Sequence, residues 1–307
     1  MIPFKIAHSK HYMPLLFHKE FFYFTNVIDK INNVNDSKLY ESFIMYGNIN
    51  MPWNGGRILL DASNTTTPDI DDKSQTDAFD YHINEVASYG MGINFVFTAA
   101  IIDLHDEWGN YMLNTLNNQL MIGDKIATVQ SDKLLDYIKL NYPNIKVKSS
   151  LLKPTYESKN LPTYEYYNEL LTRYDEVILH PDSNNDYKLL NNISDISKIE
   201  ILVNENCPIN CDVRKEHYIL EHKIFEVETV EDRKVAMDRH NRFFQSKCPK
   251  IQNGINNIPM IINDNDMKQL YNIGIRNWKY EGRDHNGPTI KNILHAFSNV
   301  EQLIRVI

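Results

Sequence analysis

Side chains able to hold metal, charge or protons crowd one short stretch of the chain: Asn204, Glu205, Cys207, Cys211, Arg214 and His217. Thiolate sulfur and imidazole nitrogen are the ligands of zinc. With the more distant Cys248, the residues Cys207, Cys211 and His217 would make a three-cysteine, one-histidine site. Three thiolates could instead hold an iron–sulfur cluster whose remaining iron faces another ligand or the substrate. Free cysteines also serve as small buried hydrophobes, so spacing alone leaves zinc, cluster and no metal open. Glu205 is suited to acid–base work, and Asn204 and Arg214 to gripping a polar substrate. The contiguous charges of Arg214, Lys215, Glu216 and His217 equally suit a solvated helix face.

These residues follow an apolar run, and such runs recur. They occupy 42–47, 57–63, 93–99, 125–131, 146–152, 176–182, 199–205 and 276–282. Segments with helical spacing separate most of them, among them 76–89, 103–118 and 132–141. Near-continuous apolar strands are those buried on both faces of a parallel sheet. Eight of them alternating with helices predict an α/β fold, an eight-stranded parallel barrel of the TIM type. An open doubly wound sheet is the alternative. The nearest glycine turn, Asn54-Gly55-Gly56-Arg57, lacks the spacing of a nucleotide-binding loop. Residues 1–40 read as an N-terminal extension packed on a single barrel domain spanning 41–307. A long insertion lies between the seventh and eighth strands, with a charged helical pattern over 217–242.

In a parallel barrel the working face is the C-terminal end of the strands. Polar residues there often only cap the next helix, but neither Glu nor Arg is a favoured N-cap. Glu205, Glu281 and Arg283 are therefore the candidate catalytic residues, and Arg57, Asn204 and Arg214 the candidate substrate-binding ones. His8, His11 and His18 read as surface residues, because Pro14 interrupts any helix joining them. Trp53, Trp108 and Trp278 read as core packing.

Composition narrows the function classes. The 307 residues carry a net charge of −8. The basic residues are scattered, so no broad basic surface for nucleic acid is expected. No apolar stretch is long enough to cross a bilayer, so no membrane partner is expected. Three cysteines are too few for a disulfide framework, which points to a reducing, cytoplasmic setting. Neither a Gly-x-Ser-x-Gly elbow nor a His-Glu-x-x-His helix is present.

Near the C-terminus, Gly274, Ile275, Lys279, Glu281, Gly282 and Arg283 stand in an arrangement that resembles the closing motif of the collagenase-like peptidase family U-thirty-two. Upstream, Val203-Asn-Glu-x-Cys-x-x-x-Cys-x-x-Arg-x-x-His217 is similar to a divergent form of the same family's cysteine-bearing region. The resemblance covers roughly residues 42–297. It implies a TIM-like barrel and an iron–sulfur cluster on Cys207, Cys211 and Cys248. It also implies either peptidase activity or oxygen-independent hydroxylation of a small polar molecule or nucleic-acid base. The chain has three cysteines where several family members use four. A non-catalytic structural or binding barrel, such as one from a phage or other mobile element, with structural zinc or no metal and a protein partner, is the alternative from another class.

Overall fold

The computed structural model describes residues 10–13, 25–26, 29, 43–49, 51–54, 70–99, 101–120, 123–157, 161–205, 207–224, 227, 229–252, 260–261 and 264–280. Parallel strands alternate with helices in a TIM-like α/β fold. The elements are β1 (Lys10–Met13), β2 (Phe43–Gly47), α1 (Lys73–Ser88), β3 (Gly92–Phe97), α2 (Glu107–Asn118), β4 (Lys125–Val129), α3 (Asp132–Asn141) and β5 (Lys146–Ser149). They continue with α4 (Leu152–Glu157), α5 (Tyr164–Arg173), β6 (Glu176–Ile178), α6 (Tyr187–Leu190), β7 (Ile199–Leu202), β8 (Asn204–Glu205), α7 (Arg214–Lys223) and α8 (Val230–Lys247). The last are α9 (Pro249–Gln252), β9 (Met260–Ile261), α10 (Asp264–Asn272) and β10 (Asn277–Lys279).

Seven strands, β2 to β7 and then β10, form a curled sheet in which each pairs in parallel with the next. The short β1 spans the space between its two edges. His11 stands opposite both Trp278 of β10 and Phe43 of β2. The segment expected to be an N-terminal extension thus supplies a strand, and His11 lies within it. The apolar run 57–63 lies outside the described residues. Each of the other seven runs contains a strand, and all of these strands but β2, which ends with its run at Gly47, stop before the run does.

Alternation along the strands separates two packing zones. Phe43, Met45, Ile93, Phe95, Phe97, Ala127, Val129, Val147, Val177, Ile199, Ile201 and Trp278 face the helices and form the main apolar core. Trp53 and Trp108 join it, as expected. The indole of Trp53 meets Phe97 edge-on at 5.3 Å and donates to the Asp103 carbonyl at 2.7 Å. Its ring lies so close to α2 that a Cβ on Gly109 would stand 2.4 Å from it.

The helix starts follow local chemistry. Asp72, Asp106 and Ser131 accept from the first-turn amides of α1, α2 and α3. Ser131 is therefore a cap, as its residue type allows. Glycine closes α10: Gly274 takes φ +113°, while Gly274 N–H and Ile275 N–H donate to the carbonyls of Tyr271 and Leu270. These two bonds are those of a Schellman turn.

Two expectations need correction. The run 199–205 is not one strand. β7 ends at Leu202, and Asn204 and Glu205 pair antiparallel with Ile261 and Met260. The helical pattern over 217–242 is two helices, because Thr229 caps a new one by accepting from Asp232 N–H at 3.1 Å.

Candidate functional site

The inward side of the sheet is ionic where barrels of this type are usually filled by branched aliphatics. Lys148 on β5, fully buried, pairs with Glu176 of β6 at 2.9 Å and with Glu200 of β7. Thr128 donates to Asn94 at 2.9 Å, and the Lys279 ammonium sits 4.5 Å from the centre of the Tyr46 ring. Burying two carboxylates is made tolerable by the ammonium that accompanies them. One oxygen of Glu200 is nevertheless buried without a hydrogen-bond partner among the described residues. Sequence reasoning singled out none of Lys148, Glu176 or Glu200.

Above this layer, past the ends of β6 and β7, lies a second polar group. Pro181 holds the preceding residue, His180, in extended backbone. Its amide donates to the Tyr167 hydroxyl at 2.9 Å. Arg214, at the start of α7, is 3% exposed and reaches back over the strand ends. Its guanidinium contacts His180 Nε2 at 3.3 Å, Asp182 Oδ1 at 3.2 Å and the Pro208 carbonyl at 3.1 Å. Arginine can only donate, so Nε2 accepts in that contact, while the Asp182 backbone N–H approaches Nδ1 at 3.3 Å and Asp182 Oδ2 lies 3.8 Å from it. A neutral ring accepts at one nitrogen only, so the two contacts belong to alternative tautomers.

Burial, followed by the nearby Arg214 charge, lowers the His180 pKa to about 4 against the pull of Asp182, so the ring is neutral at pH 7. Burial opposes the charge of Arg214, but Glu205, Asp182 and Cys207 outweigh it and raise its pKa. Glu205 is 1% exposed and accepts from Cys207 N–H at 2.9 Å. Its other oxygen, and Arg214 Nε, are buried without hydrogen-bond partners among the described residues.

The loop from Cys207 to Arg214 turns on Asn210, whose φ of 56° is a left-handed conformation that asparagine tolerates. Cys207 and Cys248 are buried and Cys211 half-buried, all as free thiols. Burial pushes the Cys211 thiol up, and it lies within electrostatic reach of both Arg214 and Cys248. In ligand type the three thiols fit a cluster held by three thiolates, which would supply electron transfer. They do not complete a four-thiolate set, and no step below is routed through a cluster.

His217 meets a second histidine and a glutamate. Its Nε2 lies 3.0 Å from His240 Nε2 and 3.6 Å from Glu221 Oε1. Among the described residues, these three form the group whose ligand atoms all fall within 4.8 Å of one another, and no cysteine belongs to it.

The structure thus brings Glu205, Arg214 and Cys207 together at the ends of β6 and β7, with His180 and Asp182 beside them. Asn204 sits in β8, half-buried. Arg57, Glu281 and Arg283 lie outside the described residues. The partnership of His180 with Asp182 had one signal in the sequence, a His-Pro-Asp turn directly after an apolar run. No described helix is long and apolar enough to cross a membrane.

No family model and no curated protein matches this chain. Among solved structures it is similar to that of the U32 peptidase Mk0906, with 11% sequence identity over 89% of this chain and 92% of that one and a TM-score of 0.49. The likeness is a distant one, at the level of the fold.

Proposed function

We propose that this chain is an enzyme that binds a small polar molecule at the ends of β6 and β7, with Arg214 and Glu205 gripping it and His180 moving a proton. One observation carries the reading. A buried donor, Arg214 Nε, and a buried acceptor, Glu205 Oε2, both go unmet among the described residues of the same neighbourhood. Unmet buried polar groups cost about 1–3 kcal/mol each, so sites that keep them usually have a use for them. A ligand presenting an acceptor beside a donor would satisfy both.

Charge decides between ligand classes. Asp182 and Glu205 bring two formal negative charges, Arg214 one positive, and His180 none at pH 7. Among the described residues, this formal sum of −1 disfavours a carboxylate or phosphate. It favours a neutral edge such as a carboxamide or a nucleic-acid base. Differential scanning fluorimetry with nucleobases, nucleosides and primary amides, against carboxylates of equal size, tests this. Stabilisation by the neutral compounds that disappears in Glu205→Gln and Arg214→Lys is expected. Stabilisation by carboxylates alone, or by nothing in the panel, would refute it.

A second reading adds an iron–sulfur cluster on Cys207, Cys211 and Cys248, favoured by the mutual electrostatic reach of Cys211, Cys248 and Arg214. Iron and acid-labile sulfide bound in stoichiometric amounts after anaerobic purification would support it. Their absence would remove it and leave the polar-ligand reading standing.

A further inference from the structure

We propose that His217, Glu221 and His240 form a binding site for a single divalent transition-metal ion of the zinc class, separate from the cysteines and fastening α7 to α8. Two imidazoles and one carboxylate are a borderline donor set suited to Zn2+ and its neighbours. His217 and Glu221 stand four residues apart on one face of α7, and His240 reaches them from α8.

The distances suit one ion. Ligand atoms about 2.0–2.1 Å from a tetrahedral metal lie roughly 3.3–3.4 Å from one another. Here the three separations are 3.0, 3.6 and 3.9 Å. The ring centres of the two histidines are 5.1 Å apart with planes 25° from parallel, so the Nε2 atoms face each other nearly head-on. Without metal, one ring donates to the other. With metal, the donor shifts its proton to Nδ1 and both Nε2 lone pairs turn to the ion, so atoms and charges balance with no net proton release. Phe244 packs against both rings, at 5.4 and 6.2 Å, and supplies an apolar wall.

A second observation points the same way. α8 has 18 residues, yet Arg233 is its one buried side chain among those described. α7 and α8 nevertheless pack together. A helix pair with so little apolar seam is one that a metal crosslink would hold. Three protein ligands leave a fourth position open to water or another ligand.

Titrating the chelator-stripped full chain with Co2+ tests the assignment. One equivalent should bind with visible ligand-field bands and without a near-ultraviolet thiolate-to-cobalt band. Removal of an outer-shell partner alone weakens metal sites about 10–100-fold, so His240→Ala should lose at least about tenfold in affinity. Glu221→Gln should bind more weakly than the parent, and Cys248→Ser should bind as the parent does. His240 is partly exposed, and circular dichroism verifies that its variant folds. No Co2+ binding, a thiolate band, or unchanged binding in His240→Ala would each overturn the proposal. Failure of the polar-ligand test above leaves it untouched.

Discussion

Lys148 Nζ lies 2.9 Å from Glu176 Oε2 in the fully enclosed centre of the sheet, and the same ammonium also meets Glu200. One cation on β5 therefore answers two carboxylates on the next two strands. Replacing it with methionine would leave both carboxylates buried without their counter-ion. Breaking a buried pair from one side costs about 3–5 kcal/mol. Lys148→Met is expected to lose at least that much in urea unfolding, and Glu200→Gln clearly less, since it removes one of the two buried negative charges and leaves Lys148 paired with Glu176. Equal losses in the two variants would contradict the arrangement.

Acid should loosen the fold through His180. Its folded pKa, about 4, lies below the ordinary 6.5. The unfolded chain then takes up a proton that the folded one refuses. The contribution is fully present above pH 6.5 and is lost as pH falls from 6.5 towards 4. His82, whose pKa burial also lowers to about 4, adds to the same window. Unfolding free energy measured from pH 7.5 to 4 should therefore decline, and His180→Gln should flatten the decline by up to one proton's worth of slope.

Gly109 has no room to become alanine. The added Cβ would stand 2.4–2.6 Å from three atoms of the Trp53 ring, and that ring is tied to the Asp103 carbonyl. Overpacking of this kind costs about 1–3 kcal/mol. Gly109→Ala should lower the melting temperature and alter the tryptophan emission. Unchanged emission would place Trp53 elsewhere.

Arg214 answers Asp182 directly and Glu205 at longer range. Arg214→Ala strands those buried carboxylates and is expected to cost about 3–5 kcal/mol. Arg214→Lys keeps the charge but loses the planar fork. It should retain more stability than Arg214→Ala while failing to recognise the neutral ligand class proposed above.

Much of the parallel sheet was legible because strands buried on both faces show as unbroken apolar runs. β1 was not: Lys10-His11-Tyr12-Met13 is short and polar, and its role comes from two neighbours distant in sequence. The interior charges were visible in part. Glu200 interrupts an apolar run between Ile199 and Ile201, and a lone charge there must face inward, whereas Lys148 was hidden by Lys146, an exposed like charge two residues earlier on the same strand. His240 gave no such hint. It sits in a charged helical stretch, and its partner His217 is on a different helix. The cysteine stretch drew attention for its chemistry, whereas the grouping of its His217 with Glu221 and His240 depends on a helix far along the chain.

The position of β1 also sets an order of events. Its partner β10 lies roughly 270 residues further along the chain. At about 5–20 residues per second, a ribosome releases β1 on the order of 15–50 s before that partner exists. Throughout that interval the strand has β2 on one side and an open hydrogen-bonding edge on the other. Such edges recruit foreign strands. The same four residues that bridge the finished sheet are thus a point where the nascent chain depends on shelter during synthesis.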